Sequence, residues 1–431
     1  ADAASAEVKV ETVADNLKIP WELVFAPDGR IFFTERDGSL WVIENESLEL
    51  VATFPTSRMS EGGLLGLALD PEFEKNNFLY LYQTYFDFEL HHNKVVRYTV
   101  NNNQLTDEQI LIDKIPGALW HDGGRIKFGP DEKIYITTGD ATNASLSQKI
   151  GSLAGKILRI NADGTIPVDN PFEGSAGFSY GHRNPQGIDW TENGILVSSE
   201  HGPSGEKGYA HDEINVIEPG KNYGWPVIVG DSNNPEYTNP ILHSGDVTWA
   251  PSGLLYYDSD KIPELKGKFL VAALRGQHVM VLDLDLENNR VNSVEKIFQD
   301  EYGRLRDLVQ SPDGDVFALD DENGELKWQA SVNTEVLSSP VANGRIVAVQ
   351  SVDGRITALD FKTGEFKWEY LAVIPQLTLR GTSEPYFSNN MLFIGFANGN
   401  LAIIDPDSGV VRWEIPLTLS EASSEFERII D

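Results

Sequence analysis

One phrase recurs through the first three quarters of this chain: a short apolar stretch, a turn of Pro, Asp, Asn and Gly, then a second apolar stretch. It stands as LVFAPDGRIFFT from Leu23, LGLALDPEFEKNNFLYLY from Leu65, RIKFGPDEKIYITT from Arg125 and RDLVQSPDGDVFAL from Arg306, with looser copies from Gln186 and Gly253. Each copy reads as two antiparallel strands joined at a tight turn, because Val, Ile, Leu, Phe and Tyr occupy the strand positions. Copies follow one another every ~45–65 residues, at or above the length of common propeller blades, as expected where loops carry function. A chain of 431 residues accommodates two ordinary domains or one large repetitive β-architecture. Helical periodicity is nearly absent, so the expected fold is all-β, a β-propeller.

The pattern changes after Leu319. GELKWQA at Gly324, GEFKWEY at Gly364 and GVVRWEI at Gly409 share a Gly-x-x-x-Trp tail ending at Trp328, Trp368 and Trp413. The segments between them read as compact four-stranded blades with little loop. Ring closure is sketched by strands near Leu305–Gln310, Asp315–Asp320 and Glu325–Ala330, with Glu7–Ala14 supplying a fourth. This predicts a six-bladed propeller over residues 1–330 and about two additional blades over 331–431. A single eight-blade ring is the rival.

Charge and composition narrow the function classes. Lys and Arg number 34 against 66 Asp and Glu, a formal net charge of -32. Such a surface repels phosphate backbones and anionic lipid, so nucleic acid and membrane surfaces are not the expected partners. Zero Cys removes thiolate nucleophiles, disulfides and Cys-based metal sites. No run approaches the ~20 apolar residues that a membrane helix needs. The start, ADAASA from Ala1, reads as a mature end left by signal removal, or as an added remnant. A periplasmic or extracellular location follows from the first reading.

All 8 His residues precede Leu305, which directs attention to the loops of the first six blades. W-H-D-G-G-R at Trp120 places His121, a group titrating near neutrality, beside two glycines just before a strand. A hydrogen-bonded loop histidine is the bland alternative. Asp140, in ITTGDATN, could orient His121 or stabilise its own turn. Y-G-H-R-N-P-Q-G offers Arg183 and Asn184, a planar cationic fork and an amide suited to a carboxylate- and carbonyl-bearing ligand; a surface turn at Pro185 is the alternative. The carbonyls of Gly202 and Pro203 and the carboxylates Asp212 and Glu213 make an oxygen-rich set suited to calcium, without EF-hand spacing. Arg275, Arg304 and Arg306 stand near strand starts, and three loop arginines in so acidic a chain point to an anionic ligand or to surface salt bridges.

EGGLLGLALDPEF at Glu61, HDGGR at His121, TGD at Gly139, GHRNPQG at Gly181, EHGP, DEIN, GKNYGWP at Gly220, WAPSG at Trp249 and GRLRD at Gly303 follow one another in order. In that order the region from about Glu7 to Leu319 resembles the soluble PQQ-dependent aldose sugar (glucose/sorbosone) dehydrogenases, which are six-bladed propellers. The resemblance implies pyrroloquinoline quinone (PQQ) lying over the central channel. It assigns Arg183 and Asn184 to the quinone, and Arg275 (where the family usually has Lys), Arg304 and Arg306 to its carboxylates. Gly202 and Pro203 match the carbonyls that hold the cofactor-bound calcium, and Asp212 and Glu213 fall in an acidic stretch associated with further calcium. His121 matches the general base, Asp140 supports it, and Glu61 lines the sugar site. The implied reaction is oxidation of an aldose at C1 to the lactone, with hydride passing to the quinone and then to a quinone or dye acceptor.

Residues from about Asp320 to Asp431 resemble instead the middle blades of the outer-membrane assembly lipoprotein BamB, through VLSSPV at Val336, the PQLTLRGTSEP loop from Pro375 and the Trp tails. A catalytic propeller running into part of a scaffold propeller has the look of a chimera, and its unpaired strand edges favour packing against the ring or against a second chain, the latter being self-association through the C-terminal blades. A calcium-dependent lactonase and a non-catalytic scaffold are the competing functions. In a lactonase the three arginines would lack an anion.

Overall fold

The computed structural model describes residues 10–57, 60–87, 90–203 and 210–320, and 341–416 apart from 344, 352, 361–362, 373–384, 389–390 and 397. The chain divides into two compact units, Ala1–Gly324 and Glu325–Asp431. The protein is all-β, with one four-residue α-helix, Phe73–Asn76, and one 3-10 turn, Ala144–Leu146, among the described residues.

In the first unit six antiparallel sheets follow one another, each a meander in which every strand bonds to the next in sequence. Their leading strands are Pro20–Phe25, Leu64–Leu69, Ile126–Phe128, Pro185–Trp190, Pro251–Tyr257 and Leu305–Gln310. The strand pattern explains the layering. Leading and second strands such as Leu64–Leu69, Ile134–Thr138 and Lys268–Ala273 are buried along nearly their whole length, so they carry continuous apolar runs. Last strands such as Gln104–Pro116 and Arg290–Ile297 are exposed at many positions and are polar there.

Apolar side chains pack between consecutive sheets. Trp21, Tyr80, Tyr82, Ile126 and Ile134 form one such cluster across the first three sheets. The leading strand of the sixth sheet meets that of the fifth and that of the first. Between sixth and first, Leu23 and Phe33 pack with Leu319, and Phe25 meets Phe317 edge-on at 4.9 Å. Among the described residues the sixth sheet has two strands, Leu305–Gln310 and Val316–Asp320. The expected closing strand Glu7–Ala14 is corrected in its described part: residues 10–14 form no strand. Neither Glu7–Lys9 nor the expected strand Glu325–Ala330 falls within the described residues.

The leading strands are bolted together at their starts. The Arg125 guanidinium lies 3.0 Å from both Glu22 Oε1 and Asp307 Oδ1, and its Nε donates to the Gln186 carbonyl at 3.0 Å. Glu22 Oε2 accepts the Leu67 N–H at 2.8 Å. Arg306 donates to Gln186 Oε1 at 3.4 Å and reaches Ser252 Oγ at 3.5 Å. Both arginines lie over the Trp21 ring. One polar network thus touches all six sheets. Two carboxylates share one buried cation, and burial raises both, the Glu22 carboxyl to about 7.

The second unit contains two four-stranded sheets, Val341–Ala342 to Phe366–Leu371 and Tyr386–Ser388 to Val411–Pro416. Ile346, Ala348, Ile356, Ala358 and Trp368 of one pack on Leu392, Ile394, Ala402 and Ile404 of the other. The Trp368 indole N–H donates to the Pro406 carbonyl at 2.8 Å. The Trp tail therefore fastens one sheet to the next. Trp328 and most of the Pro375 loop lie outside the described residues.

Candidate functional site

In an antiparallel meander, the residue before the first strand and the residue after the second lie at the same end of the sheet. That rule collects the polar motifs. Glu61, His121, Arg183 and Asn184 precede leading strands, whereas Asp140, His201 and Gly202 follow second strands. Hydrogen bonds join most of them. His121 Nδ1 lies 2.7 Å from Asp140 Oδ1, and the side chains are 18% and 2% exposed. Asp140 Oδ2 accepts the Trp225 indole N–H at 2.8 Å, and Oδ1 also accepts the Thr142 N–H at 2.8 Å. A carboxylate on Nδ1 selects the tautomer that leaves Nε2 as the free acceptor.

The backbone around His121 is equally constrained. His121 has φ 67°, and its carbonyl accepts the Ala141 N–H. A Cβ on Gly139 would lie 1.8 Å from that carbonyl oxygen, so glycine is required there. Glu61 Oε2 accepts the His121 N–H at 2.8 Å and the Asn184 Nδ2 at 3.3 Å. Behind His121, the Asp122 carboxyl is buried, with Oδ1 on Asn93 Nδ2 and the Ala118 N–H, and burial raises it to about 7.

Arg183 and Asn184 are set by Glu200, whose Oε1 accepts both of their backbone N–H groups while Oε2 holds His182 Nδ1 at 2.9 Å. Asn184 Oδ1 receives the Gly123 N–H at 3.0 Å and Gln186 Nε2 at 3.1 Å. The Asn184 amide is therefore oriented, and Gln186 connects it to Arg306. Arg183 spans the Trp225 ring at 5.5 Å and donates from Nη1 to the His201 carbonyl at 3.2 Å. Its Nε is buried without a partner, and burial lowers its pKa. Burial likewise pushes the His201 imidazole down to about 3, keeping it neutral, and its Nε2 has no partner.

Asp212 is buried and fully engaged. Oδ1 accepts the Gly202 N–H at 2.9 Å, and Oδ2 accepts Thr248 Oγ1 and the N–H groups of Trp249 and Ala250. Glu213 accepts the Gly230 N–H and Asn215 Nδ2, and burial, reinforced by the Glu200 carboxylate, raises it to about 8. Every oxygen of these two carboxyl groups accepts at least one hydrogen bond. Among the described residues no three His, Asp or Glu side chains converge in a metal-holding group. Arg275 is exposed, with its N–H on the Trp249 carbonyl, and Arg304 is half-buried two residues ahead of Arg306. The bonds above thus unite Glu61, His121, Asp140, Arg183, Asn184 and Arg306, without Arg275.

Residues 17–328 match the family described as glucose/sorbosone dehydrogenase. The chain belongs to that family. Residues 302–431 match a second description, outer membrane protein assembly factor BamB. The aldose sugar dehydrogenase YliI of Escherichia coli is 32% identical over 354 residues, covering 75% of this chain and 93% of that protein. The solved PQQ-bound aldose sugar dehydrogenase of Streptomyces coelicolor is 34% identical, with a TM-score of 0.64 over 72% of this chain and 90% of that one. BamB of Alteromonas naphthalenivorans is 47% identical over 124 residues, 29% of this chain and 30% of that protein. The family membership and the BamB-like C-terminal part agree with the two resemblances read from sequence.

Gln186, Glu200, His201 and Trp225 were missed as site residues. Each lies inside a motif already noted, but its role depends on partners from another sheet or loop. Trp225 carried the best signal, as an aromatic N–H donor in the loop motif GKNYGWP.

Proposed function

We propose that this glucose/sorbosone dehydrogenase family member oxidises aldose sugars at C1 to the lactone with PQQ and calcium, in a closed ring of six blades. The observation that carries the reading is the His121–Asp140–Trp225 hydrogen-bond chain standing beside Arg183, Asn184 and Glu61. The donor set fits the cofactor, because Arg183 Nε and His201 Nε2 are buried polar atoms still lacking partners. A buried group left so costs ~1–3 kcal/mol, which an oxygen-rich anion would recover.

PQQ, when bound, would supply the acceptor for one hydride, which carries both electrons of the oxidation. Arg183, Asn184, Arg304 and Arg306 would hold it, with Arg275 an outlying cation. Calcium would take the Gly202 and Pro203 carbonyls. Asp212 holds the Gly202 N–H and Glu213 the Gly230 N–H, so both position the calcium loop, and additional calcium in this acidic stretch would draw on the same carboxyl groups.

His121 Nε2 accepts the proton of the sugar hydroxyl, and Asp140 stabilises the imidazolium that results. Glu61 fixes the His121 backbone from one oxygen and lines the sugar pocket. A quinone or dye is the final acceptor. The division into a 1–330 dehydrogenase and 331–431 BamB-like blades completes the reading. A periplasmic or extracellular setting is supported by the outer-membrane name of the C-terminal relative, and self-association by exposed Tyr386 and Trp413, each 60% accessible.

The test is reconstitution. Chelator-dialysed protein should reduce a dye with aldose only after PQQ and calcium are restored. In the His121→Ala variant kcat should fall by ~10²–10⁴ with PQQ still bound. Full activity with NAD, or lactone hydrolysis without PQQ, overturns the reading.

A further inference from the structure

No proton transfer described above uses the His201 side chain, yet its placement is specific. Its N–H donates to the Asn184 carbonyl at 3.1 Å, and its own carbonyl accepts Arg183 Nη1 at 3.2 Å. The residue is thereby tied to the two loop residues that face the proposed ligand. Glu61, Arg306, Arg183 and His121 are the ionisable neighbours that act on its ring. These are the groups of the candidate site itself.

Nε2 of this ring is buried and makes no hydrogen bond. Arg183, whose Nη1 meets the His201 carbonyl, has its Nε in the same condition. An arginine Nε–H can only donate, so whatever satisfies it must be an acceptor. Two unsatisfied nitrogens on residues joined by a hydrogen bond are most economically explained by one ligand bearing several acceptor oxygens, because buried polar groups in folded proteins are nearly always paired.

We propose that His201 is a ligand-contacting residue of this site, its Nε2–H donating to the same oxygen-bearing anion that Arg183 engages. The inference rests on the cofactor reading above and adds a residue to it. A protonated Nε2 leaves Nδ1 as the acceptor, the reverse of the tautomer at His121. The two histidines then divide the work. The one at Asp140 takes a proton, and the one behind Arg183 holds the ligand.

The experiment is an equilibrium titration of calcium-loaded full-length protein with PQQ, followed by tryptophan fluorescence, for wild type, His201→Gln and His201→Leu. Glutamine keeps an N–H donor and should bind within about threefold of wild type. Leucine should bind ~10- to 100-fold more weakly, the range for losing a hydrogen bond to a charged group. Equal affinity in wild type and His201→Leu overturns the proposal while leaving the cofactor reading intact. Absence of PQQ binding in wild type overturns the cofactor reading itself. Should the leucine variant misfold, wild type labelled with ¹⁵N-histidine gives the answer. The His201 Nε2 resonance, assigned by its loss in His201→Gln, must shift on PQQ addition, and an unmoved resonance overturns the proposal.

Discussion

At the scale of the residue, burial decides which carboxyl groups can carry charge. Asp122 sits behind His121 with one oxygen paired and the other, Oδ2, buried without a partner. Its pKa rises from the ordinary 3.8 to about 7. A carboxyl raised in the folded state contributes its full stability below the unfolded pKa, and that contribution is lost as pH rises through the folded one. The Asp122 contribution to stability should therefore be lost between about pH 4 and 7. Asp122→Asn keeps the acceptor for Asn93 and Ala118 but cannot ionise. Its Tm relative to wild type should be higher at pH 8 than at pH 5, by a few degrees in thermal scans. A constant difference between the two pH values would mean that Asp122 is already charged in the fold. The adjacent His121 was legible from its motif, and the structure supplies its Asp140 bond. His201 was not legible, because nothing in E-H-G-P tells which of its atoms will be buried without a partner.

At the scale of the element, the repeat was the most readable feature, since strand residues alternate with turn residues whose chemistry is local. The leading strands at Leu23, Leu65, Arg125, Gln186, Gly253 and Arg306 all lie in or beside strands of the structure. The closing segment Glu7–Ala14 was not readable in the same way. EVKVETVA has a strand's alternation, but a strand also needs an edge to pair with, and residues 10–14 take none. Pairing is tertiary, and alternation alone cannot supply it. The Trp tail is a case where the pattern was seen but not its purpose. The Trp368 ring lies against Gly409, where a Cβ would come within 2.6 Å of the indole, and Gly409 itself has φ 70°. Gly409→Val should therefore fail twice, by the clash and by the left-handed backbone. We expect it to lower the thermal transition of the C-terminal unit and to raise solvent quenching of Trp368 fluorescence. Unchanged quenching would mean that the indole seats elsewhere.

At the scale of the whole molecule, the question is what the catalytic unit needs in order to hold its shape. The network that ties the six sheets draws on Trp21, Glu22, Leu67, Arg125, Gln186, Ser252, Arg306 and Asp307. The site residues from Glu61 to Arg306 lie in the same unit, and the unit boundary falls at Gly324. No described hydrogen bond of the proposed site draws on a residue beyond it. The C-terminal sheets have their own apolar core, with Trp368 fastened inside it. Truncation after Ala330 should accordingly leave a folded protein with PQQ-dependent dye reduction close to that of the full chain. Within that truncated protein Arg125→Met should be far more damaging, because removing the shared cation leaves two buried carboxylates facing each other, a loss of ~3–5 kcal/mol for a broken buried pair. The measurement is PQQ-dependent activity and chemical denaturation of both proteins side by side. Loss of folding on truncation alone would mean that residues beyond Ala330 complete the ring, and the six-blade reading would fall.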